Sequence, residues 1–107
     1  MPRKVLKFKK KYATGLEEGI KTSTIRRNTN LKEGDIVDIM VGNDVIGTAK
    51  IFMVEKKKLK ELTLSDAKMD GFKSLKDLKK ALKRIYGRKI TDETELYIIR
   101  FDFKSRD

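Results

Sequence analysis

The sequence predicts an α+β domain built on a small, partly closed β-barrel, with short helices inserted before the last strand. Three observations carry this prediction. β-type runs lie at both ends of the chain, a hairpin signal lies in its middle, and helical patterns separate that hairpin from the final strand. Terminal strands in a flat sheet would be exposed edges, and closing the last strand against earlier ones protects them. The 107 residues are enough for one domain, 1–107, and a hydrophobic fraction of 38% supplies a core without staples.

In chain order, the stretch from Met1 to Lys11 contains an alternation that predicts a short strand with Leu6 and Phe8 on one face. Tyr12 to Glu18 suits a short helix, with Tyr12, Leu16 and Ile20 roughly in line and Gly19 as its stop. Lys21 to Arg27 favours β structure through Thr22, Thr24 and Ile25. After a polar loop from Thr29 to Gly34, Ile36–Val41 and Val45–Val54 read as strands joined by the turn Gly42-Asn43-Asp44. Gly47 and Ala49 mark a place where something packs closely or the strand bends. Glu55 to Lys60 reads as a charged connector.

Thr63 with Asp66 is spaced as a capping box for a short helix that Gly71 ends, and Ser74 with Asp77 repeats the spacing. In the helix that follows, Leu75, Leu78, Leu82 and Ile85 fall on one face, with Lys76, Lys79, Lys80, Lys83 and Arg84 opposite. Gly87 stands where that helix would end, and Glu95 to Phe103 is the last strand.

Lys and Arg number 27 against 16 Asp and Glu, a formal charge of +11. A field of that sign draws polyanions, of which nucleic acid is the common one inside cells and an anionic membrane surface the competitor. Charged residues reach 40% and Gln, Cys and His are absent, the pattern of proteins from very hot habitats. Some lysines therefore serve ion pairs, but the excess of cations cannot be paired internally. Without Cys or His, disulfides, Ser-His-Asp and Cys-His machinery and most zinc sites are excluded, and no metal or cofactor is expected. No run approaches the roughly 18 to 20 apolar residues of a membrane span, and the N-terminus lacks the core of a secretory signal. The expectation is a cytoplasmic, monomeric protein.

Gly19 to Arg27, Gly-Ile-Lys-Thr-Ser-Thr-Ile-Arg-Arg, is the stretch that bears most on function. As a strand it puts Lys21 and Ser23 on one face and Thr22, Thr24 and Arg26 on the other. A bulge near its start would bring Lys21 and Thr24 together. Cations and hydroxyls behind a glycine turn suit a phosphate or a base carbonyl, and Arg26 is able to make a two-pronged contact. The plain alternative is an edge strand with solvated polar groups.

These residues resemble the ASCH domain, a family related to the PUA-like barrels. The likeness takes in Gly19 to Arg26, then Lys32 to Asp35, Ile46 to Ile51, Asp66 to Phe72, the helix ending in Tyr86-Gly87, and Leu96 to Phe103. It therefore covers nearly the whole chain. It implies a barrel with a cleft lined by Lys21, Thr24 and Arg26, in a family generally thought to bind RNA. A bacterial branch sharing Lys-x-x-Thr-Ile-Arg removes the acetyl group of 4-acetylcytidine with a lysine, a threonine and a glutamate. Lys21 and Thr24 match two of these, and Asp70, one methylene shorter, falls nearest the glutamate. Asp70-Gly71 is also ordinary turn chemistry.

Three readings follow. The first is a domain binding RNA or a nucleotide through Lys21, Thr22, Thr24, Arg26, Arg27 and Tyr12. The second is a metal-independent amidohydrolase acting on an acylated nucleoside, with Thr24 as nucleophile, Lys21 as base and Asp70 as helper. The third is a protein-interaction module. The basic helix reads first as a solvated face, then as an RNA contact, and last as a membrane-surface helix. Aromatic residues are only 7% of the chain, which limits stacking platforms.

Overall fold

The computed structural model describes residues 3–106, apart from the side chain of Arg88. Five strands, β1 (Lys4–Phe8), β2 (Ser23–Arg26), β3 (Ile36–Val41), β4 (Asp44–Lys58) and β5 (Glu95–Ser105), form one mixed sheet in the order β1-β3-β4-β5-β2. Only β1 and β3 run parallel. Three helices accompany the sheet: α1 (Ala13–Glu17), α2 (Leu64–Met69) and α3 (Leu75–Tyr86). The sheet curls into a half-barrel, the α+β fold expected from the sequence, with the helices α2 and α3 inserted before the last strand. Its first and last strands in spatial order, β1 and β2, are bridged where Nη2 of Arg26 donates to the carbonyl of Lys7 at 2.7 Å.

Period-two side-chain alternation gives β5 two apolar faces. Ile99 and Phe101 enter one core with Leu6, Phe8, Val37, Ile39 and Ile51. Leu96 and Ile98 enter a second core with Ile25, Leu59, Leu62, Ala67, Leu78 and Leu82, beneath α2 and α3. Burial on both faces explains why β5 reads as a nearly continuous apolar run. Gly47 has a specific reason to be glycine. A Cβ there would lie 2.1 Å from the carbonyl oxygen of Lys104 and 2.7 Å from the Phe103 ring.

Helix starts follow the local chemistry. Thr63 Oγ1 accepts from the amide of Asp66 while Asp66 Oδ2 accepts from the amide of Thr63, a closed capping box. Ser74 caps α3 through the amide of Asp77. Gly71 leaves α2 at φ 91°, a conformation that suits glycine.

Four expectations are corrected. Glu55 to Lys60 is not a connector, because β4 continues to Lys58 and pairs with β5 as far as Glu95. The register shift between Ile51 and Met53 accommodates Phe52 and permits that long pairing. β2 is also shorter than expected and begins at Ser23. Ile20 lies past the end of α1 and is exposed, so it does not continue the line from Tyr12 and Leu16. Ile85 is 51% exposed, outside the core formed by Leu78 and Leu82. The terminal residues Met1, Pro2 and Asp107, which the sequence reading included, lie outside the described residues.

Candidate functional site

A cavity of about 440 Å³ wraps the free edge of β2, between β1 and α3. That volume falls in the range of about 300–1,000 Å³ common to small-molecule sites. Phe8, Tyr12, Phe72 and Tyr86 give it aromatic walls, and Leu78, Ala81, Leu82 and Ile85 line the α3 side. Lys21, Thr24, Arg26 and Asp70 supply its polar groups.

Lys21 reaches this cavity because it precedes β2 and escapes the strand's alternation. Its amide donates to the carbonyl of Gly15 at 2.9 Å, and the amide of Thr22 donates to the carbonyl of Met69 at 2.7 Å. The backbone is thus held by α1 and by the end of α2 before it enters the sheet. Lys21 therefore sits with Thr24 and Arg26, not opposite them as simple alternation predicts.

The Lys21 ammonium forms an ion pair with Asp70 Oδ1 and donates to the Asp70 carbonyl at 3.1 Å. Its Nζ lies 4.8 Å from the ring centroid of Tyr12 and 5.5 Å from that of Phe8. Both members of the pair are only 5% exposed. Burial pushes Lys21 below the ordinary lysine pKa, against the charge and hydrogen bond of Asp70, and Arg26 adds a downward push. Burial also pushes Asp70 above the usual carboxylate range, against Lys21 and Arg26.

Thr24 and Arg26 share a face of β2 because they are two residues apart. Nε of Arg26 donates to Thr24 Oγ1 at 3.1 Å. With that oxygen already accepting a bond, the hydroxyl proton has no protein acceptor among the described residues and is free to be donated to a ligand. The Arg26 guanidinium lies 5.3 Å from the Phe8 ring centroid, a cation–π contact. Burial lowers its pKa, against pulls from Tyr86, Asp70 and Tyr12, but arginine remains charged in proteins. Tyr12 is half-buried, and its phenol is raised above its ordinary pKa first by burial and then by Asp70.

Of the residues singled out from sequence, Tyr12, Lys21, Thr24, Arg26 and Asp70 meet at the cavity. Thr22 and Arg27 are exposed and do not line it. The sequence reading missed the walls Phe8, Phe72 and Tyr86 and the lysines Lys7 and Lys9 at the cavity. Only their aromatic or basic character marked them, because the elements that carry them are far apart in the chain. The Tyr86 hydroxyl donates to the carbonyl of Ile25 at 3.4 Å, which fixes α3 against β2.

No protein-family model matches this sequence, and no curated protein matches it. Solved structures do match the fold. A protein from Enterococcus faecalis described by the family model DUF984 superposes with a TM-score of 0.83 at 16% identity, covering 98% of this chain and 77% of that one. The ASCH domain from Lactobacillus crispatus gives a TM-score of 0.78 at 15% identity, covering 88% and 70%. A mutant ASCH protein from Zymomonas mobilis gives 0.71 at 18% identity, covering 94% and 70%. The architecture described above is shared with these solved structures, two of which are ASCH proteins.

Proposed function

Starting from an ASCH-type half-barrel, we propose that this domain binds RNA by admitting one base into the cavity beside β2. The observation that carries this reading is the cavity's division of labour. Aromatic and aliphatic walls suit the faces of a base, while Thr24 offers an unspent proton to a carbonyl at the polar end. Lys21 is buried and paired, so it is not a freely moving phosphate contact; its pair with Asp70 makes a fixed polar floor. Calorimetric titration with the four ribonucleosides tests the proposal. At least one nucleoside binds, Thr24→Val weakens it up to about tenfold by removing a single hydrogen bond, and Ala81→Phe abolishes it by filling the slot. Undiminished binding in Ala81→Phe overturns the assignment of the base to this cavity.

A second reading is deacetylation of a base such as 4-acetylcytosine, favoured by the contact between Asp70 and Lys21. With its proton passed to Asp70, the Lys21 amine accepts the Thr24 Oγ1 proton as the oxygen attacks the acetyl carbon. The carbon–N4 bond then breaks, N4 takes the proton from Lys21, and water hydrolyses the acetyl-threonine, restoring the hydroxyl. Incubation with 4-acetylcytidine, followed by chromatography, tests this route. It requires cytidine from the wild type and none from Thr24→Ala; equal turnover by that variant excludes Thr24 as nucleophile.

A further inference from the structure

The positive charge is unevenly partnered. Ion-paired cations other than Lys21 lie on β1 and beside it, on β4, at the turn after β4, and on β5. Single cations elsewhere, among them Arg27, Lys32, Lys50, Lys68 and Lys104, have no ion pair among the described residues, but two segments gather several such cations together. The stretch from Lys7 to Lys11 is four lysines around one phenylalanine, with no carboxylate. α3 carries Lys76, Lys79, Lys80, Lys83 and Arg84 against Asp77 alone. Among the described residues, none of these cations has a carboxylate partner within salt-bridge distance.

These two segments flank the cavity. Lys7 and Lys9 line it from the β1 side, and α3 forms the opposite wall. Arg84 does not itself line the cavity, but it is exposed and stands three residues after Ala81 and beside Ile85, which do, so helical spacing sets it at the border of that wall. Ile85, one residue from Arg84, contributes an exposed apolar surface to the same lining. An apolar slot between unpaired cations from two elements has the layout of single-strand sites, where bases stack and phosphates follow a positive groove.

We propose that Lys7, Lys9 and Arg84 form a phosphate-binding rim to this cavity, so that its ligand is a base carried on single-stranded RNA and not a free nucleoside. This rests on the reading that a base enters the cavity, and it adds a role for three side chains that the motif around β2 does not contain. The rim residues are exposed, so bound phosphates stay near water and their contacts are sensitive to salt. Each neutralised phosphate of a single strand adds about 0.7 to the slope of log affinity against log salt.

The test compares one nucleoside, its 5′-monophosphate and a trinucleotide with that base in the middle, each titrated at several salt concentrations. Affinity rises from the nucleoside to the trinucleotide by at least about tenfold at low salt, the trinucleotide showing a slope of at least about −1.4 for two phosphates. In Lys7→Ala/Lys9→Ala/Arg84→Ala the ratio of trinucleotide to nucleoside affinity falls to about one and the salt slope of the trinucleotide flattens to that of the nucleoside. Equal affinity for nucleoside and trinucleotide overturns the rim and leaves the base cavity standing. A monophosphate as tight as the trinucleotide overturns RNA as the ligand. Salt-sensitive trinucleotide binding that survives the triple substitution overturns the three assignments. Absence of binding by all three probes overturns the cavity reading and the rim together.

Discussion

Removing the Asp70 carboxylate tests the energetics of the site most directly. Asp70→Ala leaves the Lys21 ammonium in a place that is 5% exposed, with Arg26 close by. Breaking a buried pair in this way costs about 3–5 kcal/mol. Lysine has an escape, since it can fold in its neutral form. From an ordinary pKa of 10.5, deprotonation at pH 7 costs about 1.4 kcal/mol for each of roughly 3.5 pH units, a ceiling of about 5 kcal/mol. At pH 9 the same ceiling is about 2 kcal/mol. The substitution also removes the two influences that raise the Lys21 pKa, leaving burial and Arg26, which lower it. The pH window in which the unfolded chain holds a proton that the folded chain lacks then opens further toward acid, so the variant's stability rises with pH. Urea unfolding followed by circular dichroism at pH 7 and pH 9 measures both effects. The expected loss at pH 7 is about 3–5 kcal/mol, or about 15 °C or more in Tm, and it shrinks toward pH 9. Adding Lys21→Met restores most of the stability, because the stranded charge is gone. A loss under about 1 kcal/mol at pH 7, or one that stays constant to pH 9, refutes the reasoning.

Two further outcomes bear on the framework around the site. Gly47→Ala sets a methyl against the backbone of β5 at Lys104 and against the Phe103 ring, and a backbone atom cannot swing away as a side-chain tip can. A loss of about 3 kcal/mol is expected in thermal unfolding, and an unchanged Tm contradicts the close approach of the strands. Ser23 presents the reverse case. Its hydroxyl is fully buried without a hydrogen-bond partner among the described residues. Ser23→Ala is therefore neutral or stabilising by up to about 1 kcal/mol, and a loss above about 2 kcal/mol would reveal a bond to this hydroxyl.

Features set by chemistry over three or four neighbouring residues were legible in the sequence. The capping residues Thr63 and Ser74, a hairpin turn at Gly42-Asn43, with Asp44 already the first residue of β4, and the inward pair Leu6 and Phe8 all follow from spacing alone. What depended on distant partners was not legible. Lys57 is half-buried at 3.1 Å from Asp66, so a residue that reads as part of a charged linker belongs to the second half of β4. Asp66 itself reads as a capping residue and nothing more, yet its carboxylate also lies 3.7 Å from Arg100. The orientation of Lys21 was hidden for a similar reason. Alternation governs residues inside a strand, and hydrogen bonds to Gly15 and Met69 decide where this strand's approach turns. Ile85 follows the helical period faithfully, but the surface it meets is the cavity and not the core.

Arg26 joins the fold to the site. From sequence it reads as a two-pronged ligand contact, but two of its nitrogens already have protein partners. Nη2 ties β2 to the Lys7 carbonyl on β1, and Nε holds Thr24 Oγ1, while the guanidinium rests near Phe8. One rigid planar group thus spans the open side of the half-barrel and leaves the threonine proton available. Lysine, with a single ammonium on a flexible stem, cannot reproduce that geometry. The interval of two residues between Thr24 and Arg26 gives them a common face, and the break in β structure before Ser23 brings Lys21 beside them. The same short segment therefore supplies the strut, the hydroxyl donor and the buried cation that Asp70 holds. In this arrangement the free charge that borders the cavity comes from the segment 7–11 and from α3, while Lys21 and Arg26, before and on β2, build the cavity those residues surround.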